Sequence, residues 1–161
     1  MTKPKIEIYT DGAARGNPGP GGYGIVLMSG KHRKELSEGF RKTTNNRMEL
    51  LAVIVALETL KIKNSDVTVY TDSKYVSESV NQDWISGWIK KSFKKVKNPD
   101  LWKRLINIYK LHNVKFIWVK GHSDNEENNR CDYLAVEASK KLNPLIDQYY
   151  EEISQEDNKL L

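Results

Sequence analysis

The sequence predicts a single mixed α/β domain. Three segments with the alternating apolar pattern of strands come first and are separated by short turns, which is typical of an antiparallel meander. Later strand-like segments are separated by stretches with helical periodicity, which favours parallel pairing. The length of 161 residues is close to the roughly 150 residues of one domain.

The meander is predicted from three segments: residues 5–11, 23–28 and 33–40. In the first segment Ile6 and Ile8 share one face, as in a half-buried strand. The glycine- and proline-rich run between the first two segments, residues 12–22, is predicted to be a turn.

A buried helix follows the meander, because apolar residues recur there at helical spacing: Met48, Leu51, Ala52, Val55 and Ala56. A strand (67–72), two short helices (73–81 and 84–92) and a helix with Asn98 as N-cap and Pro99 at its first position come next. The last elements are a strand over 115–120 and a helix with a stripe of mostly small residues: Cys131, Leu134, Ala135 and Ala138.

Charge divides the chain into a basic body and an acidic tail. The whole chain carries +5, but five acids and one lysine give residues 143–161 a charge of −4, which leaves +9 for residues 1–142. A basic body favours a polyanionic partner such as nucleic acid. The helical pattern fades after Pro144, so we expect the tail to be poorly ordered.

Composition also excludes several classes of protein. No apolar run approaches the roughly 18 residues of a membrane span, and the N-terminus lacks the features of a secretory signal. A lone cysteine, Cys131, forms neither an internal disulfide nor a thiolate metal cage. We therefore expect a cytoplasmic protein without a membrane partner, and a monomer by default.

Two strands share the ending Tyr-Thr-Asp, which places Asp11 and Asp72 at corresponding positions. If the strands are parallel neighbours, both carboxylates lie at the carboxyl edge of the sheet, where α/β proteins bind ligands. The alternative is that each aspartate only ends a strand or begins a turn.

Two further acids are candidates for the same site. Glu49 begins the apolar run of the buried helix, so its carboxylate needs a partner such as a cation, unless it caps the helix together with Asn46. Asp132 has small neighbours on the last helix, which would let the helix backbone approach the edge of the sheet closely. The alternative is an ordinary surface acid near a helix N-terminus. Four converging carboxylates would need two divalent cations, and oxygen ligands favour Mg²⁺ or Mn²⁺. Such a pair of ions suits phosphodiester hydrolysis.

Three other motifs each have a functional and a simpler interpretation. His122, in the loop after the fifth strand, is a candidate for assisting proton transfer or product departure, and the alternative is an ordinary structural or solvated histidine. The run Gly19–Gly24 formally matches GxGxxG, but a strand follows it rather than a helix, so we predict no nucleotide cofactor. Aromatic residues alternate with lysines over residues 84–97, a pattern typical of nucleic-acid contact or of an amphipathic surface helix.

Four runs of the sequence closely resemble type 1 ribonuclease H: YTDGAARGNPGPGGYG, TTNNRMELLAVIVAL, YTDSKYV and WVKGH. With Asp132 ten residues after His122, the similarity covers residues 5–142. The resemblance implies a ribonuclease H-like fold, a five-stranded mixed sheet of order 3-2-1-4-5 flanked by helices. It identifies residues 1–142 as the catalytic domain and does not account for the acidic tail.

The resemblance also implies an activity, which is Mg²⁺-dependent cleavage of the RNA strand of RNA–DNA hybrids, leaving 5′-phosphate and 3′-hydroxyl ends. It implies that Asp11, Glu49, Asp72 and Asp132 hold two metal ions, with Mn²⁺ as a substitute for Mg²⁺. His122 would then act in proton transfer and product release.

Ten further positions are implied to bind the hybrid. Asn17, Thr44, Asn45 and Asn46 line its groove, with Thr44 and Asn17 forming a pocket for a DNA phosphate. Trp84 and Trp88 form a channel for the DNA strand. Residues 90–97 resemble the basic protrusion of the family, which supplies four lysines: Lys90, Lys91, Lys94 and Lys95.

Three other functions fit parts of this pattern. An ATPase of the same fold would need paired phosphate-binding glycine hairpins and a longer chain. Transposases, integrases and resolvases are similar in architecture, but the TTNNRMEL run and His122 argue against them. A binding module without catalysis would not need four carboxylates, which repel phosphates unless metals bind.

Overall fold

The computed structural model describes the backbone of residues 4–159 and the side chains of residues 4–156. Residues 1–3 and 160–161, at the ends of the predicted body and tail, lie outside the described residues, as does the side chain of Asp157. A five-stranded sheet forms the centre of the fold: β1 (Lys5–Ala14), β2 (Gly19–Ser29), β3 (His32–Thr43), β4 (Asp66–Thr71) and β5 (Asn113–Trp118).

The sheet has the order β3-β2-β1-β4-β5. The first three strands pair antiparallel, and β1, β4 and β5 pair in parallel. The predicted mixed sheet and its strand order are therefore confirmed. Within residues 4–159, six helices surround it: α1 (Asn45–Thr59), α2 (Lys74–Asn81), α3 (Trp84–Lys90), α4 (Pro99–Tyr109), α5 (Glu126–Ser139) and α6 (Gln148–Lys159).

The two faces of the sheet carry different helices. α1 packs on β1 and β2 and contacts α4, whereas α5 packs on all three antiparallel strands. Neighbouring residues of a strand point to opposite faces. A Cβ at Gly21 would accordingly meet Met48 of α1, and a Cβ at Gly22 would meet Ala135 of α5.

The glycine-rich run is a strand over most of its length, so the predicted turn over residues 12–22 is wrong. Only residues 15–18 form the turn, and β2 begins at Gly19. A Cβ at Gly22, Gly24 or Gly39 would overlap the backbone of α5. The missing side chains let α5 lie directly on the sheet, which fixes the position of the residues that it carries.

α1 is buried on most sides, as the sequence predicts, since ten of its fifteen residues are buried. Trp102 of α4 is fully buried in the same core. Asn98 precedes α4 as predicted, but its side chain does not cap the helix. It instead accepts from Arg47 at 3.3 Å and donates to the Tyr75 hydroxyl at 3.1 Å.

The prediction of a poorly ordered tail is wrong for the described part of residues 143–161. The chain there pairs with β3 through Leu145 and then forms α6. Asp147, the residue before α6, forms an ion pair with the buried Arg47. Apolar periodicity in the sequence did not indicate that this segment is ordered, because a distant charged partner holds the segment in place.

Within residues 4–159, no helix is long and apolar enough to cross a membrane.

Candidate active site

Asp11 and Asp72 lie next to each other at one edge of the sheet. The parallel pairing of β1 with β4 ends with Thr10 opposite Thr71, and each aspartate is the next residue. β1 itself continues beyond this point, paired with β2. Asp11 is buried, and Asp72 is half-buried.

Glu49 reaches the same edge from the first turns of α1. Its Oε1 accepts a hydrogen bond at 3.0 Å from the backbone N–H of Gly12, which also donates to the carboxylate of Asp11 at 3.0 Å. A side chain at Gly12 would overlap the backbone of α1, so glycine is required for this approach. The helix is capped by Thr44, which accepts from the backbone N–H of Arg47 at 3.2 Å. The alternative that Glu49 serves as a capping residue with Asn46 is therefore wrong.

The carboxylates of Asp11, Glu49 and Asp72 form a tight cluster, in which one oxygen from each lies within 4.8 Å of the others. Glu49 is only 4% exposed, and its Oε2 has no hydrogen-bond partner among the described residues. A buried carboxylate oxygen without a partner is costly. The cluster therefore fits a bound cation.

Electrostatics support this assignment. Burial raises the pKa of Asp11, and the nearby charge of Glu49 raises it further. Burial also raises the pKa of Glu49 and of Asp72. Without a cation the cluster thus favours protonated carboxyls, whereas a divalent cation stabilises the charged forms. Oxygen-only donors of this kind suit Mg²⁺ or Mn²⁺.

A cavity of about 430 Å³ opens onto the cluster, and both Asp132 and His122 line it. Asp132 is half-buried on α5 and lies outside the tight group of three. Its charge nevertheless contributes to the raised pKa of Glu49. The structure thus brings all four predicted acids to one cavity, with three of them in close contact.

His122 lies on the loop between β5 and α5. It is exposed and has a φ of 54°, a left-handed conformation that is uncommon for residues other than glycine. The preceding Gly121 passes directly over Asp72, since a Cβ there would meet Asp72 Oδ2 at 2.7 Å. Burial is the main cause of the raised pKa of Asp72, and the electrostatic influence of the nearby His122 opposes it.

Lys74 is a residue of this cavity that the sequence analysis missed. Its ammonium lies 5.1 Å from the ring centroid of Trp118, whose indole N–H donates to the carbonyl oxygen of Asp72 at 2.9 Å. The available signal was the position of Lys74, two residues after the Tyr-Thr-Asp ending of a strand.

The predicted groove residues lie beside the carboxylates. Asn45 and Asn46 line the cavity of the cluster. Asn17 is held next to them, because its Oδ1 accepts from the backbone N–H of Asn45 at 3.1 Å. Asn17, Thr44 and Asn46 also line a second cavity of about 560 Å³.

The two predicted tryptophans have different environments. Trp84 is 44% exposed, whereas Trp88 is half-buried and packs edge-on against Trp102, with ring centroids 5.0 Å apart. Trp88 therefore anchors α3, and Trp84 is the ring that is open to a ligand. The four predicted lysines of the protrusion are all exposed: Lys90, Lys91, Lys94 and Lys95.

Comparisons with known proteins identify the family of this chain. The RNase H family model matches residues 3–140. Ribonuclease H of Desulforamulus reducens is 55% identical over 148 residues, which cover 89% of this chain and 92% of that protein.

Two solved structures are also similar. LC9-RNase H1, a type 1 RNase H with the type 2 active-site motif, has a TM-score of 0.79 and 28% identity, covering 96% of this chain and 82% of its own. LC11-RNase H1 in complex with an RNA/DNA hybrid has a TM-score of 0.62 and 32% identity, covering 83% and 95%. Since the family model and the relatives span the elements that carry the carboxylates, the chain belongs to the ribonuclease H family and is a hydrolytic nuclease.

Proposed function

We propose that this protein hydrolyses the RNA strand of RNA–DNA hybrids and leaves 5′-phosphate and 3′-hydroxyl ends. The observation that carries the proposal is the cluster of Asp11, Glu49 and Asp72, with an unpartnered buried oxygen on Glu49. The name of the relative and the hybrid bound to LC11-RNase H1 support the choice of substrate.

Asp11, Glu49, Asp72 and Asp132 are the residues that would hold two Mg²⁺ ions, or Mn²⁺ in their place. When bound, such ions supply Lewis-acid activation and charge neutralisation for phosphodiester hydrolysis. The protein supplies rigidity, because Gly12 fixes Glu49 and the parallel strands fix both aspartates. Asp132 completes the donor set from α5, which the glycines of β2 seat on the sheet.

His122 is proposed to carry protons at the edge of this site. Its imidazole is exposed, lies on a loop and lines the same cavity as the carboxylates. It can therefore take up a proton near the reacting phosphate and exchange it with solvent. The same position suits a role in releasing the product.

Selectivity for the hybrid is proposed to come from polar and basic groups around the cavity. Short amide side chains, such as those of Asn45 and Asn46, suit hydrogen bonds to the 2′-hydroxyls of the RNA strand. Asn17 and Thr44 are placed for a phosphate of the DNA strand, and Trp84 for its sugars or bases. The exposed lysines of the protrusion provide phosphate contacts: Lys90, Lys91, Lys94 and Lys95.

The test uses end-labelled RNA–DNA hybrid, duplex RNA and duplex DNA, each with Mg²⁺ or with chelator. We expect cuts only in the RNA strand of the hybrid and only with Mg²⁺. Asp72→Asn should abolish cleavage and leave hybrid binding intact, because it removes a cluster carboxylate. Asp66→Asn is the matched control, since Asp66 begins the same strand at its other end.

Other results would contradict the proposal. Cleavage of duplex DNA would indicate the chemistry of transposases and resolvases, and tight hybrid binding without cleavage would indicate a binding module. Near-parental activity of Asp72→Asn would refute the assignment of the cluster. The monomeric state and the cytoplasmic location stay predictions.

A further inference from the structure

The C-terminal helix α6 is fixed to the body of the protein by a buried ion pair. Arg47, 2% exposed, donates from Nε to Asp147 Oδ2 at 2.7 Å, and the Thr43 hydroxyl donates to the same oxygen at 2.7 Å. The other oxygen of Asp147 accepts from the backbone N–H of Tyr150 at 3.4 Å, as an N-cap residue does. The start of the helix therefore has a defined position.

Two further contacts hold the same segment. Arg41 of β3 forms a two-point hydrogen-bonded pair with Glu151, at 2.9 and 2.8 Å. The backbone of Leu145 exchanges hydrogen bonds with Arg41 and Gly39 at 2.9 and 2.8 Å. Asp147 and Glu151 are thus already paired with cations of the body, so this segment is a fixed part of the fold.

This fixed helix forms one wall of the cavity of about 560 Å³. Tyr149, Tyr150 and Ile153 line that wall, and Asn17, Thr44 and Lys97 from other parts of the chain also line the cavity. Tyr149 lies over the buried Arg47, 5.3 Å from its guanidinium carbon to the ring centroid. Tyr150 and Ile153 are half-buried, so they retain surface for a ligand.

The polar side of the cavity is suited to a phosphate. The oxygen of Thr44 accepts from Arg47, so its O–H proton can be donated to a ligand. The oxygen of Asn17 accepts from Asn45, so its NH₂ group is the part left to donate. Lys97 is exposed and adds a positive charge. Three donors next to an apolar wall match one phosphate with its attached sugar.

The apolar wall favours deoxyribose over ribose. A tyrosine ring and an isoleucine side chain pack well against the C2′ methylene of deoxyribose. A ribose 2′-hydroxyl packed against the ring face and the isoleucine side chain would lose water without gaining a hydrogen bond from either, which is unfavourable.

We propose that α6 is part of the substrate site, in which Tyr150 and Ile153 pack against a deoxyribose of the DNA strand and thereby help the enzyme to select hybrids over duplex RNA. This inference rests on the proposed function, because it assumes a hybrid in the groove. The described side chains of α6, residues 148–156, are acidic or uncharged, so its contribution comes from shape and apolar contact. Truncating Tyr150 and Ile153, which carry no charge, should therefore leave the salt dependence of binding unchanged.

The test measures binding in chelator by fluorescence anisotropy, with a short RNA–DNA hybrid and a duplex RNA of the same sequence. The variant Tyr150→Ala/Ile153→Ala should bind the hybrid about 5- to 10-fold more weakly, the range expected for loss of one aromatic contact. Its affinity for duplex RNA and its slope against salt should not change. With Mg²⁺, KM should rise while kcat is retained.

Two controls separate this effect from misfolding. Gln155→Ala alters an exposed residue of α6 that does not line the cavity and should behave like the parent. Tyr150→Phe keeps the ring and should retain most of the hybrid affinity. Melting curves establish whether the double variant is folded.

The inference is overturned if the double variant binds the hybrid like the parent. It is also overturned if the variant loses affinity equally for both duplexes, or if its salt slope falls. Failure of the proposed function is a separate result: the parent would then not cleave hybrids with Mg²⁺, whatever the binding in chelator shows.

Discussion

Replacing Asp147 by alanine should destabilise the whole protein, although the residue lies in a segment that the sequence predicts to be poorly ordered. Arg47 would lose its hydrogen bonds at 2.7 and 3.0 Å to this carboxylate, and the Thr43 hydroxyl would lose its acceptor. Breaking a buried pair costs about 3–5 kcal/mol. Arg47 keeps a two-point pair with Asp100, at 2.9 and 2.7 Å, so the low end applies. Loss of the α6 cap adds about 1 kcal/mol.

The expected loss of about 4 kcal/mol corresponds to a lowering of Tm by about 10 °C for a protein of this size. Urea unfolding followed by circular dichroism measures the loss. The matched control is Glu151→Ala, which removes the more exposed pair with Arg41 and should cost at most about 1 kcal/mol. A loss for Asp147→Ala below 1 kcal/mol, or equal to that of the control, would refute the structural role of this ion pair.

Three further predictions concern the candidate site. His122→Ala should slow single-turnover cleavage by about 10- to 100-fold by removing a proton carrier; a parental rate would exclude that role. Replacing four lysines of the protrusion by glutamine should raise KM and flatten the dependence of binding on salt: Lys90, Lys91, Lys94 and Lys95. An unchanged slope would contradict their role in phosphate contacts. Burial raises the pKa of Asp11 and takes that of Glu49 to about 8. Because the folded state then binds these protons more tightly, metal-free protein should lose stability as pH rises above about 4, through about 8 for Glu49 and on to about 11 for Asp11. Urea midpoints in chelator measure this loss, saturating Mg²⁺ should reduce it, and a flat profile would count against the raised pKa values.

Local patterns were sufficient where neighbouring residues decide the structure. The repeated Tyr-Thr-Asp ending indicated two related strands, and the structure pairs them in parallel with Thr10 opposite Thr71. The apolar run after Glu49 indicated a buried helix, which α1 is.

Other features depended on residues far away in the chain. The sequence left open whether Glu49 caps its helix, and the decisive contact is with Gly12, 37 positions earlier. Composition alone predicts a turn at Gly19, Gly21 and Gly22 of β2, whereas in the structure Gly22 permits the close approach of α5, more than 100 residues later. Lys74 was missed, since only the folded protein places it beside Trp118 and the carboxylate cavity.

The sequence by itself determined the mixed α/β class, the strand order through its family resemblance, and the acids that the site contains. Periodicity and short motifs carry that information, because they reflect contacts within one or two turns of the chain. Only the tertiary structure decided that Glu49 faces the cluster and that α6 is a fixed part of the protein. Arg47 and Asp147 are 100 positions apart, and burial makes their pairing strong. No local sequence pattern shows that two charges so far apart in the chain come together, so only the folded structure reveals their pairing.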